Sequence, residues 1–223
     1  MLGDDLAAVA GGLLDAAPCR VSLPAGAGKT ELVAAAGLIA TEANRQVLVL
    51  THTHAGVDAI RRRAQRLGSP RTNLRVMTID GWCRRLVEAF PQIAGYEPAD
   101  PPSWDDIRNR TRVLLASPHV QRMMNSSVDL LIVDEYQDCS SAQHDVVCTL
   151  ADIAHAELIV FGDPLQAIYD FPGDPVIDWE DVDDLPEFAI EVEPWRWRSH
   201  NQALGQELLE LRQVLIDGDP VDL

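Results

Sequence analysis

A glycine-rich turn between a short apolar segment and a helix-forming segment constrains this chain most. Residues 24–30 read Pro-Ala-Gly-Ala-Gly-Lys-Thr, and Lys29 is the single lysine of the sequence. Glycines let the backbone approach a ligand closely, and a lysine offers a compact charge on a flexible stem. The flanking residues predict a strand over 19–23 and a helix over 31–40, which would place the turn at a helix N-terminus. The pattern indicates a phosphate-binding loop, with a structural glycine-rich turn as the alternative.

The first position of this loop departs from the usual spacing. A loop of the form G-x-x-x-x-G-K-[ST] begins with glycine, whereas this sequence has Leu23 there. Gly26 and Gly28 still permit positive φ angles close to a phosphate. We therefore expect residues 24–30 to bind nucleotide phosphates, with the Thr30 hydroxyl as a ligand of Mg²⁺.

Apolar runs alternate with helical patterns along the rest of the chain. Further buried-strand patterns lie at 47–50, 74–78, 130–133 and 158–161. Helices are predicted over 55–67, 82–90, 104–124, 142–154 and 203–216. This alternation predicts an α/β fold with a mostly parallel sheet and helices on both faces. Residues 174–193 carry nine acidic and no basic side chains, and are expected to form an exposed connection.

Composition narrows the class of protein. The four cysteines, at 19, 83, 139 and 148, lack the paired spacing of a metal site and are typical of a reducing compartment. The N-terminus is acidic rather than basic, and no apolar run reaches membrane-spanning length. These features predict a cytoplasmic protein without a membrane partner.

Charge is distributed unevenly. The net charge is −17, yet residues 20–124 carry 15 basic and 9 acidic side chains, a net of +6. The remaining residues carry 3 basic and 26 acidic side chains, a net of −23. This asymmetry permits an anionic partner on an otherwise acidic protein. Taken alone, the arginines at 61–63 and 66 favour a solvated helix face over a binding site.

Carboxylates follow the predicted strand at 130–133. Asp134 and Glu135 would lie at the carboxyl edge of a parallel sheet, where open α/β folds bind ligands. In a phosphate-loop enzyme the first carboxylate would hold Mg²⁺ and the second would activate a water molecule. Without the upstream loop, the pair would be interpreted as a solvated turn.

The strand at 158–161 is followed by polar and aromatic residues. Tyr169 and Phe171 would suit stacking on the bases of a single strand. They are equally compatible with ordinary core positions.

Six segments together resemble the motifs of UvrD/Rep-like superfamily 1 DNA helicases. In order, residues 24–30, 50–55, 78–86, 133–138 with Gln143, 162–171 and 195–199 resemble motifs I, Ia, Ib, II, III and IV. The resemblance implies a RecA-like P-loop NTPase domain over residues 1–200, with a reduced insertion near 87–127. Residues 201–223 would form a helix leading toward a second motor domain, because nothing after residue 200 resembles motifs V and VI.

The resemblance also implies roles for individual residues. The loop residues Pro24, Ala25, Gly26, Ala27, Gly28, Lys29 and Thr30 would bind ATP, and Thr30 and Asp134 would hold Mg²⁺. Glu135 would be the general base, Gln166 would sense the γ-phosphate, and Arg198 would act as an arginine finger. Trp197 would stack on adenine. The single-stranded DNA path would be lined by Thr53, His54, Trp82, Tyr169 and Phe171.

Several positions depart from the family pattern. Asp80 stands where motif Ib usually has histidine, which would put an acidic group near the DNA path, and Pro172 stands where motif III usually has arginine. No adenine-reading glutamine motif is evident before residue 20. The pair His52 and His54 has no further ligands nearby in sequence and predicts polar contacts rather than a metal site.

Two functions from different classes remain open at this point. The chain would be the ATPase domain of a DNA helicase, weak by itself and acting with a second motor domain. Alternatively, it would be a stand-alone ATP-dependent binding or regulatory module that partners a nuclease subunit. A phosphate-loop kinase fits poorly, because such kinases lack the Asp-Glu-Tyr-Gln-Asp segment at 134–138.

Overall fold

Five parallel strands form one sheet. The computed structural model describes residues 3–68, 72–97, 103–167, 175–192, 197 and 201–218. The strands β1 to β5 are Cys19–Ser22, Val47–Thr51, Leu74–Thr78, Leu130–Val133 and Glu157–Gly162. Their order across the sheet is β1-β5-β4-β2-β3, with parallel pairing throughout. The predicted α/β fold is confirmed.

Helices account for most of the remaining described residues. Helices α1 to α9 span Asp4–Asp15, Lys29–Glu42, His54–Leu67, Ile79–Ala89, Pro91–Ala94, Trp104–Leu115, Pro118–Asn125, Ser141–Ala154 and Gln202–Asp217. Short 3₁₀ turns lie at Tyr136–Asp138, Pro164–Gln166 and Trp179–Val182. Among the described residues, no helix has the length and apolar character needed to cross a bilayer.

The sheet is covered by helices on both faces, as predicted. Val47 and Val49 of β2 pack in one cluster with α1, α2 and α3. Leu48 and Leu50 pack in the other cluster, with α4, α6, α7 and α8. Successive residues of a strand point to opposite faces, so both faces of β2 are buried and the strand is apolar throughout.

The predicted helix over 104–124 is wrong, because the structure divides it into α6 and α7. Ser117 precedes α7 and Pro118 occupies its first turn. Proline lacks the N–H that a continuous helix needs and clashes with the carbonyl four residues earlier. The same residue is well suited to the first turn of a new helix, so the chain restarts there.

Helix α1 was not predicted. Adjacent glycines, Gly11 and Gly12, lower its intrinsic helix propensity. Its stability comes from packing, since Ala10 and Leu13 are fully buried in the cluster that contains α2.

The acidic segment at 174–193 was expected to be only an exposed connection, but part of it hydrogen-bonds to β1. Arg20 N–H donates to the Pro186 carbonyl and Phe188 N–H donates to the Arg20 carbonyl, both at 2.9 Å. Arg20 also forms ion pairs with Asp183 and Glu187. Residues 186–188 therefore cover the free edge of β1, while the acidic side chains of this segment remain largely in solvent.

Glycine is required where β5 ends. A Cβ atom built at Gly162 would lie 2.3 Å from a carbon of the Trp179 ring, well inside van der Waals contact. The close approach of the Trp179 ring fixes the acidic segment against the end of β5. Gly162 begins the segment that resembles motif III, whereas no motif in the sequence includes Trp179.

Candidate nucleotide site

The phosphate loop connects β1 to α2 as predicted. Gly26 and Gly28 have φ angles of 83° and 91°, which residues with a Cβ adopt only with strain. The Gly28 carbonyl accepts hydrogen bonds from Glu31 at 2.9 Å and Leu32 at 3.0 Å, so the helix starts directly after the loop. The first N–H groups of α2 therefore face the loop, an arrangement that favours an anion.

The structure explains why leucine is accepted at the first position of the loop. Leu23 is buried in the cluster that contains Val21 and Leu32. Its N–H donates to the Gly162 carbonyl at 3.0 Å. The side chain thus points into the core and leaves the phosphate side of the loop open.

Lys29 reaches across the carboxyl edge of the sheet to Glu135. Lys29 Nζ forms a hydrogen-bonded ion pair with Glu135 Oε2, although the two residues are 106 positions apart. Lys29 is only 6% exposed, whereas the Glu135 side chain is 38% exposed. The buried ammonium therefore has a carboxylate partner whose other side is open to solvent.

Glu135 is held in an unusual backbone conformation. Its φ of 57° lies in the left-handed region, which is uncommon for a residue with a side chain. Gln137 Nε2 donates to Glu135 Oε2 at 3.0 Å. Strained residues of this kind cluster at functional sites. The backbone and Gln137 together direct the Glu135 carboxylate toward the phosphate loop.

Asp134 is the buried member of the carboxylate pair. It follows β4, is 3% exposed, and its N–H donates to the Leu50 carbonyl at 2.9 Å. Burial raises the pKa of its carboxyl to about 6, with a further increase from Glu135 that Lys29 partly offsets. Burial and Glu135 also raise the pKa of Asp138 to about 6. The edge thus concentrates acidic groups whose ionised forms would be stabilised by a cation.

Asp134 gives the folding stability a testable pH dependence. Because the pKa of its carboxyl is higher in the folded than in the unfolded protein, protonation favours the folded state, and this contribution is lost as pH rises through about 6. Between pH 7 and pH 5 we expect the wild type to gain about 1 kcal/mol relative to Asp134→Asn. Denaturant unfolding of both proteins without nucleotide measures this difference. Identical pH slopes for the two proteins would contradict it.

The residues predicted to hold Mg²⁺ fit that ion chemically. Asp134 supplies a buried carboxylate whose pKa is raised chiefly by that burial, and Thr30 lies in the first turn of α2. Mg²⁺ prefers oxygen ligands and is usually held by one or two protein groups together with phosphate oxygens and water. The described residues contain no cluster of three or more His, Cys, Asp or Glu side chains arranged for a metal.

Asp163 organises the end of β5. Its N–H donates to Gln137 Oε1 at 3.0 Å, and its carboxylate accepts a hydrogen bond from Gln166 Nε2. Arg212 Nη1 of α9 forms an ion pair with Asp163 Oδ1 at 2.7 Å, with Asp163 only 1% exposed. The predicted sensor Gln166 is therefore connected through Asp163 to the acid pair on one side and to α9 on the other. Sequence reasoning missed Arg212, because its pairing depends on tertiary packing across 49 positions (212 minus 163).

A cavity of about 330 Å³ lies beside the phosphate loop. Loop residues Pro24, Ala25 and Ala27 line one side, and Trp197 and Gln166 also border it. Helix α9 contributes leucines and Arg212 to the opposite wall. The structure thus brings Trp197, predicted to stack on adenine, next to the loop predicted to bind phosphates.

The residues predicted to contact DNA fall in different environments. Thr53 and His54 are exposed where α3 begins, and the Thr53 hydroxyl caps the helix by accepting from Gly56 N–H at 3.0 Å. Trp82 is 6% exposed and packs in the core, with an edge toward a second cavity. Tyr169 and Phe171, and the predicted arginine finger Arg198, lie outside the described residues.

The acidic residue at the motif Ib position is neutralised. Asp80 accepts from Arg108 at 2.9 Å and 3.2 Å in a two-point ion pair, and from Gln143 Nε2 at 3.3 Å. Its carboxylate is therefore engaged by α6 and α8 and presents little free charge to an anionic ligand. The departure from the family pattern at Asp80 is compensated within the fold.

The predicted polar role of His52 agrees with its surroundings. Its Nε2 lies 3.4 Å from Cys139 Sγ. Burial lowers the pKa of His52 to about 4, against the opposing effect of Asp80 and Glu135. The imidazole is therefore neutral at physiological pH, and His54 is exposed on the adjacent helix.

A family model supports the interpretation of these motifs. Residues 100–176 match the model of the UvrD/REP helicase N-terminal domain. The chain is therefore similar to this family over about a third of its length. The matched segment contains the Asp134-Glu135 pair and Gln166, while residues 24–30 precede it. The resemblance is confirmed for this segment, which includes residues 133–138 and Gln143 of motif II and residues 162–171 of motif III.

The chain is also similar in fold to solved structures. Pif1 helicase from Candida albicans is 14% identical, with 100% of this chain and 45% of that chain covered, at a TM-score of 0.43. Bacteroides Pif1 in complex with ADP-AlF3 and ssDNA is 15% identical, with 95% and 37% covered, at a TM-score of 0.41. AMPPCP-bound DnaA from Aquifex aeolicus is 17% identical, with 95% and 54% covered, at a TM-score of 0.37. The chain thus spans 37% to 54% of the length of these proteins, and no curated protein sequence matches it.

Proposed function

We propose that this chain binds Mg²⁺ and ATP and supplies the hydrolytic site of a motor that translocates on single-stranded DNA. The observation that carries the proposal is the contact between Lys29 Nζ and Glu135 Oε2. It joins the phosphate loop to the acid pair at the carboxyl edge of a parallel sheet, where α/β folds bind their ligands. A phosphate-binding cation beside paired carboxylates is the arrangement that phosphoryl transfer requires.

The residues of the loop and the acid pair would act in sequence. The backbone of residues 24–30 would wrap the phosphates, and Lys29 would turn from Glu135 to the outer phosphate oxygens. Once released, the Glu135 carboxylate would orient the attacking water and accept its proton. Thr30 and Asp134 would hold Mg²⁺, which when bound would neutralise charge on the phosphate oxygens.

Three further residues would complete the nucleotide site. Trp197 borders the cavity beside the loop and would stack on the adenine. Gln166 would sense the γ-phosphate. Its hydrogen bond to Asp163 would transmit the presence or loss of that phosphate to the residues that contact Asp163. Arg198 would stabilise charge on the transferring phosphoryl group.

The DNA path would cross the same edge of the sheet. Thr53 and His54 are exposed directly after β2, where a strand crossing that edge could reach them. Tyr169 and Phe171 would stack on bases. Because Trp82 is buried, it would support this path from α4 rather than present a full ring face.

Movement along DNA would require a partner for this chain. A two-domain motor closes on ATP, so we infer that this chain acts with a second motor domain and that it binds ATP but hydrolyses it weakly by itself. A nuclease subunit is the partner expected under the alternative of a stand-alone regulatory module.

ATP hydrolysis by this chain alone and by the full gene product, each with and without a single-stranded oligonucleotide, tests the proposal. We expect weak turnover by the chain alone and DNA-stimulated turnover by the full product. Affinity for the oligonucleotide should fall steeply with salt, since phosphate contacts release counterions. ATP binding with turnover that DNA never stimulates would instead favour the regulatory module. Strong unwinding of a tailed duplex by the isolated chain would contradict the two-domain requirement.

A further inference from the structure

A groove lies along β3, outside the nucleotide site. This β3 groove has a volume of about 550 Å³ and is bordered by α3, β3, α4 and α7. It lies at the β3 edge of the sheet, whereas the phosphate loop follows β1 at the opposite edge. Four strand spacings of about 4.8 Å separate these edges, a distance of about 19 Å. The β3 groove is therefore distinct from the nucleotide site.

The two edge strands of the sheet, β1 and β3, differ in the hydrogen bonding of their outer sides. Residues 186–188 cover the edge of β1 with backbone hydrogen bonds. In the described part of the chain β3 pairs with β2 alone, so its outer side presents backbone groups without a strand partner. Arg61 Nη2 donates to the Val76 carbonyl at 2.7 Å on that side. An unpaired edge of this kind is a template for an added strand.

The rim of the β3 groove is basic. Arg61, Arg75 and Arg85 line it, and none of the described residues that border it is acidic. Burial lowers the pKa of Arg75, and the neighbouring charge of Arg85 lowers it further, as expected for adjacent guanidinium groups. On a chain with a net charge of −17, such a concentration of positive charge favours a ligand that carries carboxylates or phosphates.

The floor of the β3 groove is apolar and adaptable. Met77, Met123 and Met124 line it together with Leu86 and Phe90. Methionine side chains are flexible and polarizable, and they accommodate apolar groups of varied shape. Trp82 also borders the groove and, like Leu86 and Met124, is 6% exposed. The floor therefore favours apolar side chains.

We propose that the β3 groove binds an extended segment of a partner protein in which carboxylates alternate with apolar side chains, added as a strand to the free edge of β3. Backbone N–H groups of this segment would replace Arg61 at the Val76 carbonyl and free the Arg61 guanidinium to pair with a carboxylate. Met77 lies on the α4 side of β3 and Arg61 belongs to α3 on the other side. Because alternate side chains of a strand point to opposite sides, apolar groups would lie on the methionine floor and carboxylates would face Arg61. The proposal does not depend on ATP hydrolysis.

A synthetic peptide tests this proposal directly. The probe is a fluorescein-labelled peptide about as long as β3 in which glutamate alternates with isoleucine, titrated against the full chain by fluorescence anisotropy. We expect saturable binding that weakens at least about 10-fold in Arg61→Glu. The matched control is Arg62→Glu, which reverses a charge on α3 outside the groove. We expect this variant to bind the peptide as the wild type does.

Two further measurements separate strand addition from general charge attraction. N-methylation of alternate peptide amides should weaken binding at least about 10-fold, because it removes backbone donors that an added strand needs. Hydrogen exchange should slow at Leu74–Thr78 when the peptide binds. If Arg61→Glu does not fold, Arg61→Ala should show the same loss to a smaller extent.

Several outcomes would overturn the proposal. They are no saturable binding of the acidic peptide, equal weakening by Arg62→Glu, or full binding by the N-methylated peptide. Displacement of the peptide by an oligothymidylate that itself loses affinity in Arg61→Glu would identify the groove as a nucleic-acid site instead.

Discussion

Replacement of Glu135 by glutamine should lower ATP turnover about 10²- to 10⁴-fold, the range that general-base catalysis usually contributes. Glutamine has nearly the same shape but cannot accept the proton of the attacking water. The effect is to be measured on the full gene product with single-stranded DNA present. Affinity for ATP should be preserved or increased, because Lys29 would no longer have to leave an ion pair with residue 135 to reach the phosphates.

The control for this experiment is Glu42→Gln. Glu42 is an exposed residue at the end of α2, and its substitution removes the same charge without touching the site. We expect wild-type turnover from the control. Full turnover by Glu135→Gln would show that another group accepts the proton, whereas equal losses of binding and turnover would show that Glu135 is needed for the site to form.

Replacement of Lys29 by alanine should weaken ATP binding by at least about 30-fold, corresponding to about 2 kcal/mol or more. Lys29 is 6% exposed, so its charge acts where water screens it poorly. Lys29→Arg should also bind poorly, since a planar guanidinium does not reproduce a compact ammonium on a flexible stem in a buried position. A fluorescent ATP analogue measures affinity, and thermal unfolding without nucleotide verifies that each variant folds.

Arg62→Ala serves as the matched control for Lys29. Arg62 is exposed on α3 and does not border the cavity beside the phosphate loop. Its loss should leave ATP affinity within about 2-fold of wild type, as for most surface substitutions. Unchanged affinity in folded Lys29→Ala would mean that the loop does not bind the nucleotide phosphates through this residue.

Much of the fold was predictable because its signals are local. Strands such as Leu130–Val133 are apolar throughout, since parallel strands are buried on both faces. Gly26 and Gly28 marked the loop because it needs positive φ angles. The predictions were less accurate where a local pattern was ambiguous. The break before Pro118 divided one predicted helix into two, and α1 depends on packing that outweighs its two glycines.

The candidate site was only partly predictable. The chemistry of Lys29, Asp134 and Glu135 could be inferred from residue type and from the strand that each follows. Their mutual geometry could not, because it depends on which strands become neighbours in the sheet. For the same reason, the sequence did not reveal the ion pair between Arg212 and Asp163 or the one by which Arg108 neutralises the Asp80 carboxylate. No spacing along the chain encodes these contacts.

The sequence by itself determined the order of strands and helices, the phosphate loop and the carboxylates that follow β4, because turn residues and apolar periodicity act over a few positions. Only the tertiary structure decided that Lys29 pairs with Glu135 and that Trp82 is buried. It also decided that residues 186–188 cover the edge of β1, whereas at the edge of β3 the Arg61 side chain donates to a backbone carbonyl. These features depend on packing between segments far apart in the chain. Their free energy comes from burial and charge pairing that exist only once the sheet has assembled.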